Sequence, residues 1–369
     1  MSSDIVRVGV THGDVNGVGY EVMLKTFSDI RIAESCIITI YGSSKVAAYH
    51  RKTMELQPVA LNTVANAADA VVNKINILNC CSEDLKVEIG KSTESAGEAA
   101  FLALEKATAD LKEGVIDVLV TAPINKHNIQ RGEFTFPGHT EYLEEKFAVK
   151  GGKSLMILAN DTLRVALVTG HLPLAEVSAN LTKDKIKSTI RIFNQSLQRD
   201  FGIQKPRIAV LSLNPHAGEK GLLGKEEELV ITPALKEMDN DKILAFGPYA
   251  ADGFFGSGSF SRFDGVVAMY HDQGLIPFKV LAMENGVNFT AGLPVVRTSP
   301  AHGTAYDIAG KNEASEDSFR QAIYMGIDVF KKRKWFDEAT ANPLRKMYFE
   351  KNNVKDETVD LTKDETDIL

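Results

Sequence analysis

Short runs rich in Val, Ile, Leu and Ala, each closed by polar or turn-forming residues, alternate with segments of helical periodicity along most of this chain. Such runs read as strands buried on both faces of a parallel sheet, and their alternation with helices predicts an α/β protein. The sequence predicts strands over Ile5–Thr11, Ile37–Tyr41, Ile75–Leu78, Val118–Thr121, Ser154–Leu158, Arg164–Thr169, Arg207–Leu213 and Val266–Met269. It predicts helices over Thr93–Lys112, His139–Phe147, Lys183–Arg199, Lys225–Met238 and Ala314–Phe330. At 369 residues the chain is long for one hydrophobic core, which suggests two lobes.

Three of the expected strands end on a histidine. They read Arg164-Val-Ala-Leu-Val-Thr-Gly-His171, Arg207-Ile-Ala-Val-Leu-Ser-Leu-Asn-Pro-His216 and Gly265-Val-Val-Ala-Met-Tyr-His271-Asp272. Any one of them alone is more often a surface or satisfied core residue. Ligands of open α/β sheets, however, sit beyond the carboxyl ends of the strands. Three imidazoles delivered there suit zinc or another borderline divalent ion, in a site assembled by the fold rather than by a local finger. Asp272 and Asp252 are nearby acids able to complete or orient the ligand shell.

Charge and cysteine usage narrow the setting. A net charge of −7 gives no general nucleic-acid or membrane surface, though it allows a local basic pocket for a small anion. Cys36, Cys80 and Cys81 are an odd set with two adjacent members, so they make no disulfide framework and fit a reducing cytoplasm. The N-terminus carries no signal-peptide core, and no apolar run approaches the ~20 residues that span a bilayer.

Other segments point to an anionic substrate. In Phe136-Pro-Gly-His139-Thr140-Glu141 a tight turn opens a helix whose N-terminus can take an anion or polar group; a plain helix cap explains the same residues. Lys279, Asn288 and Arg297 suit a ligand carrying both carboxylate and phosphate, in Gly- and Pro-rich sequence that fits neither ordinary helix nor strand. Gly13-Asp-Val-Asn-Gly17-Val-Gly19 lacks the G-x-G-x-x-G order of a dinucleotide loop and reads as a tight strand-to-helix turn facing the cleft. Lys331-Lys-Arg-Lys334 reads as a solvated helix end. The acid-biased stretch from Glu350 to Leu369 reads as a surface appendage tethered by Trp335 and Phe336.

The most specific segment is His302-Gly-Thr-Ala-Tyr-Asp-Ile-Ala-Gly310. It resembles the loop by which isocitrate and isopropylmalate dehydrogenases hold the adenosine part of their nicotinamide cofactor. It stands in order with Thr121-Ala-Pro-Ile-Asn-Lys126, Pro137-Gly-His-Thr-Glu141, His171-Leu-Pro-Leu174, Leu213-Asn-Pro-His-Ala-Gly-Glu219 and Met269-Tyr-His-Asp-Gln-Gly274. Together these resemble the 4-hydroxythreonine-4-phosphate dehydrogenase family of pyridoxal phosphate biosynthesis, from about Val8 to Tyr324.

The resemblance implies an isocitrate/isopropylmalate dehydrogenase-like fold: two α/β/α lobes with largely parallel sheets and a cleft between them. Residues 1–125 plus 290–369 would form the first lobe, with the cofactor loop and tail. Residues 126–289 would form the second, with the metal ligands and dimer contacts. It implies a homodimer with shared active sites and a divalent ion (zinc, magnesium or cobalt) on His171, His216 and His271 drawn from both subunits. It places substrate on His139, Thr140, Lys279, Asn288 and Arg297, and NAD or NADP on His302, Gly303, Thr304, Ala305 and Asp307.

The implied reaction is oxidation of 4-hydroxythreonine 4-phosphate at C3, then decarboxylation to 3-amino-2-oxopropyl phosphate. Asp272 and Lys126 are the candidate bases. The alternatives are a paralogue acting on erythronate or threonate 4-phosphate and a metal-dependent phosphohydrolase, which would have no use for the cofactor loop. Val15 and Asn16 stand where the family usually has Pro and Ala, Gly170 stands where it usually has Thr, and the chain beyond about Phe336 extends past the usual end. The first two departures bear on fine specificity.

Overall fold

Val8, Gly9, Val10 and Thr11, consecutive residues that alternate between the two faces of a strand, are all buried, as a strand covered on both faces requires. In the computed structural model, which describes residues 5–82, 84–130, 134–149 and 152–342, they belong to a 12-stranded sheet. Its strands are β1 (Val6–Thr11), β2 (Cys36–Gly42), β3 (Leu61–Val64), β4 (Ile75–Asn79), β5 (Val118–Thr121) and β6 (Leu155–Ala159). They continue with β7 (Arg164–Leu167), β8 (Arg207–Leu211), β9 (Leu244–Tyr249), β10 (Gly265–Ala268), β11 (Val287–Ala291) and β12 (Val296–Pro300). The spatial order is β3-β4-β2-β1-β5-β12-β11-β6-β7-β10-β8-β9.

Two parallel blocks make up most of this sheet. Strands β3, β4, β2, β1, β5 and β12 run together, as do β7, β10, β8 and β9. Three antiparallel pairings, β12 with β11, β11 with β6 and β6 with β7, join the blocks, so they run in opposite senses. The three strands that carry the histidines, β7, β10 and β8, are neighbours within one block.

Helices cover the sheet where the sequence periodicity places them. Lys183–Arg199 begins at Thr182, whose hydroxyl accepts from Lys185 N. It buries Ile186, Ile190, Phe193 and Leu197, one stripe at helical spacing. Gly265 of β10 lets this helix approach, since a Cβ there would lie 2.4 Å from the Phe193 ring. Glu94–Lys112 is capped in the same way, the Thr93 side chain accepting from Ala96 N. His139–Phe147 spans the predicted range.

Three expectations are corrected. The sequence around Lys279, Asn288 and Arg297 is regular: Lys279 lies in the helix His271–Ala282 with Pro277 inside it, and Asn288 and Arg297 lie on β11 and β12. Those strands stand mid-sheet, where pairing on both sides outweighs weak local preference. The expected helix over Lys225–Met238 divides into a wide π turn at Glu227–Ile231 and a helix at Thr232–Asn240. The last helix runs over Asp317–Thr340, so the basic run lies within it and not at its end; Lys331, Lys332 and Lys334 are exposed as expected, whereas Arg333 is buried.

Arg333 shows why. Its side chain is 6% exposed and its Nε lies 2.6 Å from Asp200 Oδ1, itself 3% exposed. Its Nη1 donates to the carbonyls of Leu293, Pro294 and Val295. Trp335 is 60% exposed. The acid-biased tail from Glu350 lies outside the described residues. All three cysteines are free thiols, and among the described residues no helix is long and apolar enough to cross a membrane.

Breaking a buried ion pair by removing one partner costs about 3–5 kcal/mol. Asp200→Ala should therefore lower the urea unfolding midpoint with an unchanged denaturant slope; an unchanged midpoint would refute this role for the pair.

Candidate active site

The loops after β5, β12, β7 and β10, together with β6, β11 and two helices, enclose a cavity of about 430 Å³. Lys126, His139, Thr140, Lys279, Asn288 and Arg297 line it, and so do His171, His271 and His302. Nine residues singled out from sequence thus meet in one space. His216, Asp272, Gly303, Thr304, Ala305 and Asp307 are not on its wall.

Arg297 is the electrostatic centre. It is 3% exposed, yet no carboxylate within ion-pair distance accompanies it among the described residues. Instead the Thr121 hydroxyl accepts from Nε (3.1 Å) and Nη2 (2.6 Å), and the Thr290 hydroxyl accepts from Nη1 (3.2 Å). Burial lowers its pKa to about 10, against the opposing pull of Glu141. Two neutral hydroxyls orient the guanidinium without cancelling its charge, so it stays open to an anion from outside.

Around it stand polar atoms that the protein leaves unsatisfied. His139 Nε2, Asn288 Oδ1 and His302 Nε2 are buried without a hydrogen-bond partner. Such atoms are costly unless water or a ligand completes them. Burial holds His139 well below its usual pKa, reinforced by the cations Arg297 and Lys126. Burial also lowers His302, with Lys279 adding to it. Both imidazoles are therefore neutral at pH 7, able to donate and accept.

The rings of His171 and His271 lie 5.5 Å apart between centroids. Burial, Lys126 and His271 together lower the His171 pKa, favouring the neutral form that a metal needs. His271 Nδ1 lies 2.7 Å from Asp272 Oδ1, an arrangement that fixes the ring and leaves Nε2 available. Asp272 is thus engaged by the imidazole and does not reach the cavity. His216 is exposed on the loop after β8, in a run of left-handed backbone from His216 to Lys220. Glu227 anchors that loop by accepting from the backbone N–H of Leu213 and of Asn214, each at 2.8 Å.

Among the described residues no three His, Cys, Asp or Glu side chains gather closely enough in this chain to hold a metal. The two imidazoles fit half of a ligand set for a borderline divalent ion.

The segment His302–Gly310 rests on the Gly13–Gly19 turn. Val18 N donates to Thr304 O at 3.0 Å, and a Cβ on Gly17 would stand 2.7 Å from that oxygen. Tyr306 donates to Asp14 Oδ2 at 2.6 Å, and Asn128 Nδ2 donates to the same oxygen at 2.8 Å. One buried carboxylate therefore ties this segment to the turn before it and to the Lys126–Ile129 helix. Gly303 has open space around it and Asp307 is exposed, so backbone and carboxylate remain free to meet a nucleotide.

Sequence reasoning missed some of the machinery. Thr121, Thr290 and Glu141 were not singled out individually, although Thr121 and Glu141 fall inside motifs that were. Thr290 gave no local signal, because its role arises only from the pairing of β11 with β12.

A family model described as "Pyridoxal phosphate biosynthetic protein PdxA" matches residues 34–326. A 4-hydroxythreonine-4-phosphate dehydrogenase of Bacteroides thetaiotaomicron is 59% identical over 356 residues, covering 96% of this chain and 97% of its own. One from Sulfurihydrogenibium sp. is 41% identical over 333 residues, covering 89% and 100%. The crystal structure of the Klebsiella pneumoniae enzyme of the same name superposes with a TM-score of 0.77 at 32% identity, covering 89% of this chain and 99% of that one.

Thr121→Val removes the acceptor of two Arg297 bonds. Calorimetric affinity for inorganic phosphate should fall roughly ten-fold or more, while Thr121→Ser retains it. Equal affinity in wild type and Thr121→Val would refute the orienting role.

Proposed function

The chain belongs to the family of pyridoxal phosphate biosynthetic proteins PdxA, and on that premise we propose that it oxidises 4-hydroxythreonine 4-phosphate at C3 with NAD or NADP. The resulting 3-oxo acid loses its carboxylate as carbon dioxide, giving 3-amino-2-oxopropyl phosphate. The observation that carries this reading is the buried, unneutralised Arg297 guanidinium beside the unsatisfied His139 Nε2, Asn288 Oδ1 and His302 Nε2.

Arg297 and Lys279 hold the anionic ends of the substrate. His139, Thr140 and Asn288 orient it by hydrogen bonds. His302 places the cofactor at the cavity wall, with Gly303, Thr304, Ala305 and Asp307 receiving the remainder. When bound, a divalent ion such as zinc, magnesium or cobalt would supply acidity for the C3 hydroxyl and a nicotinamide would supply the hydride acceptor. Of the two candidate bases, Asp272 is occupied in orienting His271, which leaves Lys126 on the cavity wall to relay the hydroxyl proton. In this reading residues 1–125 with 290–369 form one lobe and 126–289 the other, and the free thiols suit a reducing cytoplasm.

His171 and His271 of one protomer are completed by the partner subunit's His216 in a homodimer. Exposed apolar side chains follow each of these histidines in the chain: Leu174 at 73%, Leu222 at 79%, and Ile276, Val280 and Met283 at 62, 78 and 76%. Apolar surface beside an incomplete polar site suits a second copy of this chain.

The test is NADH absorbance with purified protein, a divalent metal, NAD and 4-hydroxythreonine 4-phosphate. Phosphate release without NADH would overturn the reading. His216→Ala should reduce turnover roughly a hundred-fold or more with the fold intact. Mixed with His171→Ala after reversible dissociation, it should regain activity that neither variant has alone; full activity in His216→Ala would sink the shared site.

A further inference from the structure

Among the described residues Glu141 is the one carboxylate on the cavity wall; the charged side chains facing it there are Lys126, Lys279 and Arg297. It occupies the third position of the helix His139–Phe147. Its Oε2 comes within 3.3 Å of the point where a Cβ on Gly138 would stand, and Lys126 Cε lies 3.6 Å from the same point. Its charge is felt across the cavity, opposing the burial that lowers Arg297 and His171.

An acidic residue at this position often closes a capping box by accepting from the backbone N–H of the N-cap. Among the described residues that bond is not made: the Gly138 backbone N–H donates to no Glu141 oxygen, and the glycine N-cap has no side chain to cap the helix itself. Glu141 makes no hydrogen bond or ion pair among the described residues, which leaves its carboxylate free for a ligand.

The proposed substrate carries three charged groups. Its carboxylate and phosphate match Arg297 and Lys279. Its 2-ammonium group is repelled by those same cations and needs a carboxylate partner. We propose that Glu141 receives this ammonium group and so distinguishes the amino acid phosphate from the corresponding hydroxy acid phosphate. The inference rests on the functional reading above and names the residue that sets substrate choice within it. A charge-assisted N–H···O bond to Glu141 favours the amine; a hydroxy acid puts a neutral hydroxyl there, with a weaker bond and no charge to match.

The test compares wild type, Glu141→Gln and Glu141→Asp on 4-hydroxythreonine 4-phosphate and on erythronate 4-phosphate, each with NAD and a divalent metal. The ratio of kcat/KM for the amino over the hydroxy substrate should fall roughly ten- to hundred-fold in Glu141→Gln. Most of the loss should be in KM, and Glu141→Asp should recover part of the ratio. Calorimetric binding of 4-hydroxythreonine 4-phosphate without NAD should weaken in parallel. Equal losses on both substrates would mean that Glu141 serves the helix or the metal, and would overturn the proposal; so would an unchanged ratio. A wild-type protein inactive on both phosphates would overturn the functional reading itself, and this assignment with it.

Discussion

Everything at the cavity depends on how two oppositely directed parallel blocks share one twisted sheet. Ligand sites of α/β sheets form beyond the carboxyl ends of strands, and blocks of opposite sense in a flat sheet would present those ends at opposite edges. Twist resolves the conflict. Neighbouring strands rotate by about 20–25°, so the five steps from β5 to β10 accumulate roughly 100–125°. Added to the reversal at β11 and β6, this rotation turns the ends of β7 and β10 toward those of β5 and β12. Lys126 and His302 follow the strands of one block, and His171 and His271 follow those of the other.

Strand register then sets the electrostatics. Arg297 on β12 pairs with Leu119 of β5, and the ladder with β11 brings Thr290 beside it. A slip of one residue on β12 would send the guanidinium to the opposite face of the sheet. Because its partners are hydroxyls, burial leaves a full positive charge without an internal counterion. This unfavourable desolvation sits on a strand whose residues are all buried, and an anion bound there would relieve it. The neutral histidines nearby follow from the same burial, since an imidazolium beside Arg297 and Lys126 would compound the repulsion.

Much of this was legible in the sequence, for identifiable reasons. The strands with Val- and Ile-rich runs and the helices with regular apolar stripes stood out, because burial on known faces dictates both patterns. Lys183–Arg199 falls on its predicted bounds. Strands β11 and β12 did not stand out, since Gly292, Pro294 and Pro300 obscure a preference that pairing on both sides supplies. The site was legible where motifs are contiguous, as at His139–Thr140 and His302–Gly310. Thr290 and the burial of Arg333 were not, because each depends on a partner far along the chain: β12 for one, Asp200 for the other. The resemblance implied histidines drawn from two subunits, but not that His216 is the one that stands apart from His171 and His271 within the chain.

The last helix carries a mechanical implication. Asp317–Thr340 packs along β12 and β5 at one end of its path, and its Arg333 and Asp337 engage Asp200 and Arg199 at the C-terminal end of the helix Lys183–Arg199. It therefore acts as a strut across the back of the sheet, bolted to both blocks. The rear of the sheet is therefore held at a set span, so the strand ends of the two blocks that meet at the cavity are spaced from behind as well as by their own loops.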